Sequence, residues 1–134
     1  MRPPAWSALV LGVALLANGA HAACRPGLHP ATTAQLFFGL NVGVERSVAE
    51  ADWRRFLDTE VTPRFPDGLS VWDVDGQWKD PAGFLSREPA KTLLIILPGA
   101  AGDDAKLATI IDLYKTRFHQ ESVLLMEQDA CVAF

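Results

Sequence analysis

Six charged residues lie near the end of one predicted helix and the start of the longest apolar run, and their side chains could act in acid–base chemistry or anion binding. Carboxylates and amines perform such chemistry when a cleft shifts their pKa values. The same residues could instead form ion pairs that only fix the fold, and this structural interpretation is preferred. The six are Glu60, Arg64, Asp67, Arg87, Glu88 and Lys91, of which Glu60, Arg64, Glu88 and Lys91 are the catalytic candidates.

The segment 41–47 lies just before the N-terminus of a predicted helix. Free backbone N–H groups at such an end attract anions, and a neighbouring arginine adds positive charge. Asn41 and Arg46 are therefore ligand-binding candidates. Ser47 and Glu50 have the spacing of a capping box, which predicts that the helix starts there.

Two tryptophans flank Asp75-Gly76, a dipeptide typical of hairpin turns. Trp72 and Trp78 would then face each other across a short hairpin, where cross-strand stacking stabilises such a pair. Stacking on a ligand is the alternative interpretation. Both residues are therefore ligand-binding candidates.

The sequence offers no familiar metal or cofactor motif. Its three histidines and two cysteines are too scattered for a zinc site, since His29 lies in a proline-containing lead-in and His119 at a predicted helix end. A Cys/His nucleophile pair is no better supported. There is also no glycine-rich phosphate loop of the usual spacing. We therefore expect neither a metal nor a cofactor.

Composition limits the partners of the protein. The 134 residues include 12 Lys and Arg against 16 Asp and Glu, a formal net charge of −4. Removal of Arg2 with an N-terminal leader leaves 11 basic against 16 acidic residues, a net charge of −5. A chain without a basic surface lacks the electrostatic attraction that binds a nucleic-acid backbone. We therefore expect no nucleic-acid partner.

The first 22 residues have the layout of a secretory signal peptide. Arg2 precedes an apolar run at 8–17, and Ala20-His21-Ala22 forms a small-residue cleavage site. The run is about half of the roughly 20 residues that a membrane-spanning helix needs, so no membrane span is expected. The protein is predicted to be exported, either to the periplasm or into the medium. The predicted organisation is a signal peptide at 1–22, an extended tether at 23–33 and a single domain at 34–134.

Cys24 and Cys131 are the only cysteines, and an exported chain meets the oxidising conditions in which disulfides persist. A Cys24–Cys131 bridge is the preferred expectation. Two alternatives are left open, namely free thiols with Cys131 buried, or a lipid-modified Cys24. Lipoprotein signals carry a leucine-like residue three positions before the cysteine, where this chain has His21. A lipid anchor at Cys24 is therefore less favoured.

Hydrophobic periodicity gives the order of the elements. Apolar residues at helical spacing predict one helix around Trp53 and Phe56 and another around Ile110 and Tyr114, and the apolar run at 93–97 is typical of a strand buried on both faces. The order strand, helix, strand, strand, helix, strand predicts an α+β, ferredoxin-like βαββαβ fold. Its antiparallel sheet would carry two helices on one face and an extra hairpin after the second strand. Because the first and last strands are neighbours in this topology, the two cysteines should lie close together.

Several stretches of the chain resemble one bacterial family. They are Leu36-Phe37-Phe38-Gly39, the segment from Glu60 to Ser70, Gln77-Trp78, the segment from Arg87 to Lys91, and Tyr114-Lys115 with Arg117-Phe118. Together they cover nearly the whole mature chain and resemble the exported family called domain of unknown function 3574. The resemblance implies an exported or envelope-associated single domain. It implies no activity, cofactor or catalytic residue.

The strand at 93–97 offers apolar side chains to both sides of the sheet, whereas the helices cover only one side. Exposed apolar surface of this kind marks an interface or a ligand groove. Face-to-face homodimerisation is the preferred solution, and the others are a covering loop or a groove for a small apolar ligand or an envelope protein. The sequence therefore favours a binding or interaction module that uses its apolar sheet face. The alternative is a cofactor-independent small enzyme of the dimeric α/β-barrel kind.

Overall fold

The structure is a computed structural model that describes residues 23–43 and 46–134. The predicted signal peptide at 1–22 lies outside the described residues. Within the part of the chain that is described, no helix is both long enough and apolar enough to cross a membrane.

The elements follow the predicted order along the described chain. They are β1 (His29–Gly39), β2 (Asn41–Val42), β3 (Arg46–Ser47), α1 (Glu50–Phe56), a π-helical turn (Leu57–Val61), β4 (Ser70–Lys79), β5 (Leu85–Leu97), α2 (Asp103–Phe118) and β6 (Leu124–Val132). The π-helical turn extends α1 to Thr62, whose N–H donates to the Leu57 carbonyl oxygen over 2.9 Å. Pro63 follows and has no N–H to continue the helix.

The four long strands form one antiparallel sheet in the order β4-β5-β1-β6. In the central pair Leu36 lies opposite Leu93, and on the other side of β1 it lies opposite Leu125. β2 and β3 pair separately as a short ribbon. Because α1 connects β1 to β4 by way of the ribbon, and α2 connects β5 to β6, the predicted α+β, ferredoxin-like fold is confirmed.

The core lies between the sheet and the two helices. Side chains alternate along a strand, so every second residue of β1 and β5 points toward the helices. The largest buried members are Leu36, Phe38, Trp53, Phe56, Leu93, Ile95, Leu107, Ile110 and Tyr114. The ring centroid of Phe38 lies 4.7 Å from that of Tyr114 and 5.2 Å from that of Trp53. These tilted and edge-on ring contacts join the sheet to both helices.

The prediction of a hairpin turn at Asp75-Gly76 is wrong. β4 runs without a break through both residues, and the turn into β5 lies at 80–84. Gly76 pairs with Glu88, whose carbonyl oxygen lies only 3.3 Å from the position that a Cβ would take. The glycine thus permits a close approach of two strands instead of forming a turn. Trp72 and Trp78 consequently lie on one strand and on the same face of it.

Two segment boundaries also differ from the predictions. β1 begins at His29, so the last five residues of the predicted tether at 23–33 belong to the sheet. These residues pair with β6, and from Thr32 onward they also pair with β5. The two neighbouring strands supply hydrogen-bond partners that the periodicity of a short segment does not reveal. The capping box is not formed, because Ser47 pairs with Asn41 in the ribbon and the cap position falls on Ala49.

Cys24 and Cys131 form a disulfide whose Cα atoms are 5.6 Å apart. The register of β1 against β6 places Pro30 opposite Cys131. A turn closed by the Leu28 N–H and the Arg25 carbonyl oxygen, 3.1 Å apart, leads the chain from Cys24 into β1. The predicted bridge is confirmed, and it joins the first described residues to the last strand.

Candidate functional site

The side of the sheet that points away from α1 and α2, named here the open face, carries a broad set of apolar side chains. Side chains point to the two sides of a strand in turn, and residues paired across neighbouring strands point to the same side, so the pairing shows which residues belong to the open face. Its large apolar members are Phe37, Trp72, Val74, Trp78, Leu94, Ile96, Leu124 and Met126. Four of them, Trp72, Trp78, Leu124 and Met126, are exposed. Large apolar side chains therefore meet solvent over much of the open face.

Charged residues of the sheet are concentrated on the helix side. The four long strands contain eight of them, and seven share the side of the helix-facing residue Leu93, namely Asp73, Asp75, Lys79, Arg87, Lys91, Glu127 and Asp129. Only Glu88 lies on the open face, because it is an odd number of residues away from Leu93 along β5. A one-sided sheet that met water on its free face would show the opposite distribution. The four long strands therefore place a single charged residue on the open face.

One end of the open face deepens into a cleft of about 760 Å³. This Glu88 cleft lies between the ends of β1, β4 and β5 and the segment 119–122 that follows α2. Its lining includes Phe37, Asn41, Trp78, Glu88, His119 and Gln120. The volume is within the range of roughly 300–1,000 Å³ that is usual for ligand pockets.

Glu88 is held in a defined position in this cleft. Its Oε1 accepts a hydrogen bond from the Asn41 backbone N–H over 3.0 Å. The same oxygen lies 2.6 Å from the point that a Cβ of Gly39 would occupy, so only glycine permits the carboxylate to lie there. The Glu88 side chain is half-buried. Backbone contacts therefore fix an acidic group at the edge of the open face.

Two side chains of the α2 region hold the backbone around Glu88. The Tyr114 hydroxyl donates to the Gly39 carbonyl oxygen over 2.7 Å, and the Gln120 Nε2 donates to the Asn41 carbonyl oxygen over 2.7 Å. Burial raises the pKa of Tyr114, and the nearby charge of Glu88 raises it further. The phenol thus remains a hydrogen-bond donor at neutral pH and supports the floor of the cleft.

Glu60 and Arg64 lie on the helix side, away from the cleft. Arg64 Nη1 lies 3.2 Å from Glu60 Oε2, and Arg117 of α2 contacts the other Glu60 oxygen. The hydrogen bond from Arg117, and then that from Arg64, lowers the pKa of Glu60 despite an opposing contribution from burial. These contacts join the π-helical turn to α2. Glu60 and Arg64 thus form an ion pair that stabilises the fold.

Lys91 lies on the helix side of β5, where it is buried. Its Nζ lies 2.7 Å from Glu50 Oε2 at the start of α1 and also contacts Asp73 on β4. Hydrogen bonds to Asp73 and then Glu50 raise the pKa of Lys91, and the bond from Lys91 lowers the pKa of Glu50. The amine thus joins α1 to the sheet, and the structure does not bring it to the Glu88 cleft.

We expect Lys91→Met to lower the free energy of unfolding, because Asp73 and Glu50 lose the cation between them. The lowered pKa of Glu50 means that its contribution is present above the ordinary value of 4.5 and is lost as the pH falls below it. The raised pKa of Lys91 means that its contribution is lost only as the pH rises above 10.5. Urea unfolding should therefore show the largest difference between wild type and variant near neutral pH, and a smaller one below 4.5.

Lys79→Met is the matched control, since Lys79 is an exposed lysine on the same side of the sheet. It should leave the stability unchanged. If the difference in the free energy of unfolding between wild type and Lys91→Met stayed constant from about pH 3 to about pH 7, the stabilisation would not come from the ion pair with Glu50.

The ligand-binding candidates are partly brought together. Asn41 and Trp78 both line the Glu88 cleft, whereas Trp72 lies nearer the middle of the open face. Arg46 belongs to β3, and its side chain lies outside the described part of the structure.

At the opposite end of the open face a second hollow, of about 650 Å³, is lined by residues that include Ser70 and Ile96.

Several residues of the cleft could not be identified from the sequence. In the sequence, Phe37 and Gly39 stand out only as part of a stretch that resembles the family, and Gln120 lies in a segment without periodicity. The usable signal was the pair of glycines, Gly39 and Gly76, since a glycine within a strand often marks a close approach.

Within the described residues, no group of three or more His, Cys, Asp or Glu side chains could hold a metal ion.

Fold and site together define a ferredoxin-like α+β domain with one apolar sheet face that none of its described helices covers and an acidic cleft at the end of that face. The chain belongs to the family described as protein of unknown function DUF3574, whose model matches residues 33–134. The predicted family membership is thereby confirmed. A comparison with curated proteins finds no match.

Two solved structures of phage S-adenosylmethionine (SAM) lyase are similar to this chain. The one in complex with S-methyl-5′-thioadenosine has 22% sequence identity and a TM-score of 0.59 over 78% of this chain and 90% of the lyase. The apo structure has 21% identity and a TM-score of 0.57 over 86% of this chain and 97% of the lyase. At this level of identity the similarity shows a shared fold.

Proposed function

We propose that the protein is an exported interaction domain that pairs face to face with a second copy of itself through the open face. The observation that carries this proposal is the distribution of charge over the sheet. Seven of its eight charged residues lie on the helix side, while exposed Trp72, Trp78, Leu124 and Met126 lie on the other. Burial of this apolar surface would stabilise a dimer by the hydrophobic effect.

The dimensions of the open face support a protein partner. Four strands spaced about 4.8 Å apart and about nine residues long, at about 3.3 Å per residue, cover roughly 19 by 30 Å, or about 570 Å². Side-chain relief increases this projected area. Stable protein–protein interfaces bury about 800 Å² per partner. A small ligand would leave most of the face exposed, whereas a second sheet would cover it.

The charge of the open face favours a second copy over a membrane surface. Binding to anionic lipid needs lysine or arginine next to the apolar surface, and the strands place no lysine or arginine on this face. Two copies in contact would juxtapose few like charges, since Glu88 lies at one end of the face. Self-association therefore meets little electrostatic opposition.

The test is the oligomeric state of the mature protein and of two matched variants. Trp72 and Val71 are adjacent on β4, are 40% and 36% exposed, and point to opposite sides of the sheet. We expect a dimer at micromolar concentration in sedimentation velocity. Trp72→Glu should yield a folded monomer, because it places a charge within the interface, and Val71→Glu should leave the dimer intact. A monomeric wild type, or a dimer broken by Val71→Glu alone, would contradict the proposal.

A second candidate function is a cofactor-independent enzyme that acts in the Glu88 cleft. Of the four catalytic candidates, only Glu88 lines this cleft. The phage proteins that share the fold are SAM lyases, and one of them holds S-methyl-5′-thioadenosine. Incubation with SAM, followed by chromatography, tests this function. Release of S-methyl-5′-thioadenosine that is lost in Glu88→Gln supports it, and no release above the buffer rate rejects it.

A further inference from the structure

We propose that the Glu88 cleft binds a small organic cation with a flat aromatic or apolar group, and that the Glu88 carboxylate is its counter-ion. The cleft is formed by residues of one chain. Trp78 and Leu124 belong both to this cleft and to the open face, so a ligand and a second copy would compete for them.

The first support is the position of the Glu88 carboxylate. The Asn41 N–H, 3.0 Å from Oε1, and the absence of a side chain at Gly39 hold it at one place in the cleft. A ligand would meet a carboxylate that needs little further ordering, which lowers the entropic cost of binding.

The second support is that no cationic side chain that the structure describes pairs with this carboxylate. Among the side chains that the structure describes, Glu50, Glu60, Asp73 and Asp103 each form an ion pair with a lysine or an arginine. Within the same part of the chain, no lysine or arginine forms an ion pair with Glu88. A half-buried carboxylate without a positive partner attracts an external cation.

The electrostatics of the remaining lining act in the same direction. Glu121 also lines the cleft, and among its described lining residues only His119 carries a basic group. The carboxylates of Glu88 and Glu121 around one hollow concentrate cations there and repel anions. The cleft is therefore selective for positive charge.

The surroundings of Glu88 favour an organic cation over a metal ion. Phe37 and Trp78 offer aromatic surfaces, and Val74 and Leu124 add aliphatic ones. Aromatic rings stack on flat groups and attract cations through their faces. The described residues contain no group of three metal-ligating side chains. A ligand that joins a positive group to a flat ring would use the carboxylate and the aromatic lining together.

The test compares two probes that share an indole ring and differ in charge, tryptamine and indole-3-propionate. Titration of the isotope-labelled mature protein, followed by NMR, gives a Kd and the position of binding for each. We expect tryptamine to bind at least about tenfold more tightly and to shift the amides of Gly39, Asn41 and Gln120. Glu88→Gln should raise the Kd for tryptamine at least about tenfold. Glu127→Gln removes an exposed carboxylate on the helix side and should change nothing.

A second variant tests the position of the carboxylate separately from its charge. Gly39→Ala places a Cβ 2.6 Å from the Glu88 oxygen and should displace the carboxylate without removing it. Tryptamine should then bind more weakly to a folded protein. The proposal is overturned if both probes bind equally, if Glu88→Gln or Gly39→Ala binds tryptamine like wild type, or if the shifts map to the hollow near Ser70 and Ile96.

Discussion

Loss of the Cys24–Cys131 disulfide should lower the free energy of unfolding by about 4 kcal/mol. The bridge joins residues that are 107 positions apart, so it closes nearly the whole described chain into one loop. A cross-link restricts the unfolded chain, and in the chain-entropy model this stabilisation grows with loop length. The native contacts of β1 and β6 should persist without it. The effect should therefore appear in stability rather than in the folded spectrum.

Urea unfolding followed by tryptophan fluorescence measures this effect. The comparison is between the oxidised wild type and the double variant Cys24→Ser/Cys131→Ser. Reducing agent is the control, since it should shift the wild-type midpoint to that of the double variant and leave the double variant unchanged. Identical midpoints for oxidised and reduced wild type would show that the bridge contributes nothing to stability.

Phe38→Ala should destabilise the protein by about 3–5 kcal/mol, which is the usual cost of removing a fully buried phenylalanine. Its ring is completely buried, and it contacts Trp53 and Phe56 of α1 and Tyr114 of α2. The substitution removes apolar contacts and leaves a cavity where the sheet meets both helices. Thermal unfolding monitored by circular dichroism should show a large fall in Tm.

Phe37→Ala is the matched control for this prediction. Phe37 is the preceding residue of the same strand, but its side chain lies on the open face and is only half-buried. It should cost clearly less stability than Phe38→Ala. An equal loss for the two variants would mean that the open face is as well packed as the core, which would also contradict the proposed binding surface.

The overall fold could be predicted because its signals are local. The apolar spacing of Trp53 and Phe56 identified a helix, and the run at 93–97 identified a central strand. The order of elements then gave the neighbours in the sheet, and with them the proximity of Cys24 and Cys131. Each of these elements was identified from a pattern within its own residues, and only the arrangement of the sheet needed the order of all the elements.

Errors arose where tertiary pairing overrides local preference. Asp75-Gly76 favours a turn in isolation, yet the long ladder with β5 keeps it in a strand. Ser47 favours a helix cap, yet its pairing with Asn41 places it in the β2–β3 ribbon. Backbone hydrogen bonding to a distant strand cannot be read from a short window of sequence.

The Glu88 cleft was beyond prediction for a related reason. Phe37, Trp78, Glu88 and Gln120 come from four separate segments of the chain, and only the folded sheet brings them together. The charged cluster suggested by the sequence is divided by the sheet, since Glu60, Arg64 and Lys91 lie on its helix side. Glu88 lies apart from them, because side chains alternate along β5 and that of Glu88 points to the open face.

The exposed turn at 80–84 lies between the two bridged cysteines. A protease that cut there would break the backbone into two pieces, one holding Cys24 and the other Cys131. The sulfur–sulfur bond would keep these pieces covalently attached, and β1, β5 and β6 would still hold them in register. A nicked molecule would migrate as a single band on a denaturing gel until a thiol reagent released two fragments.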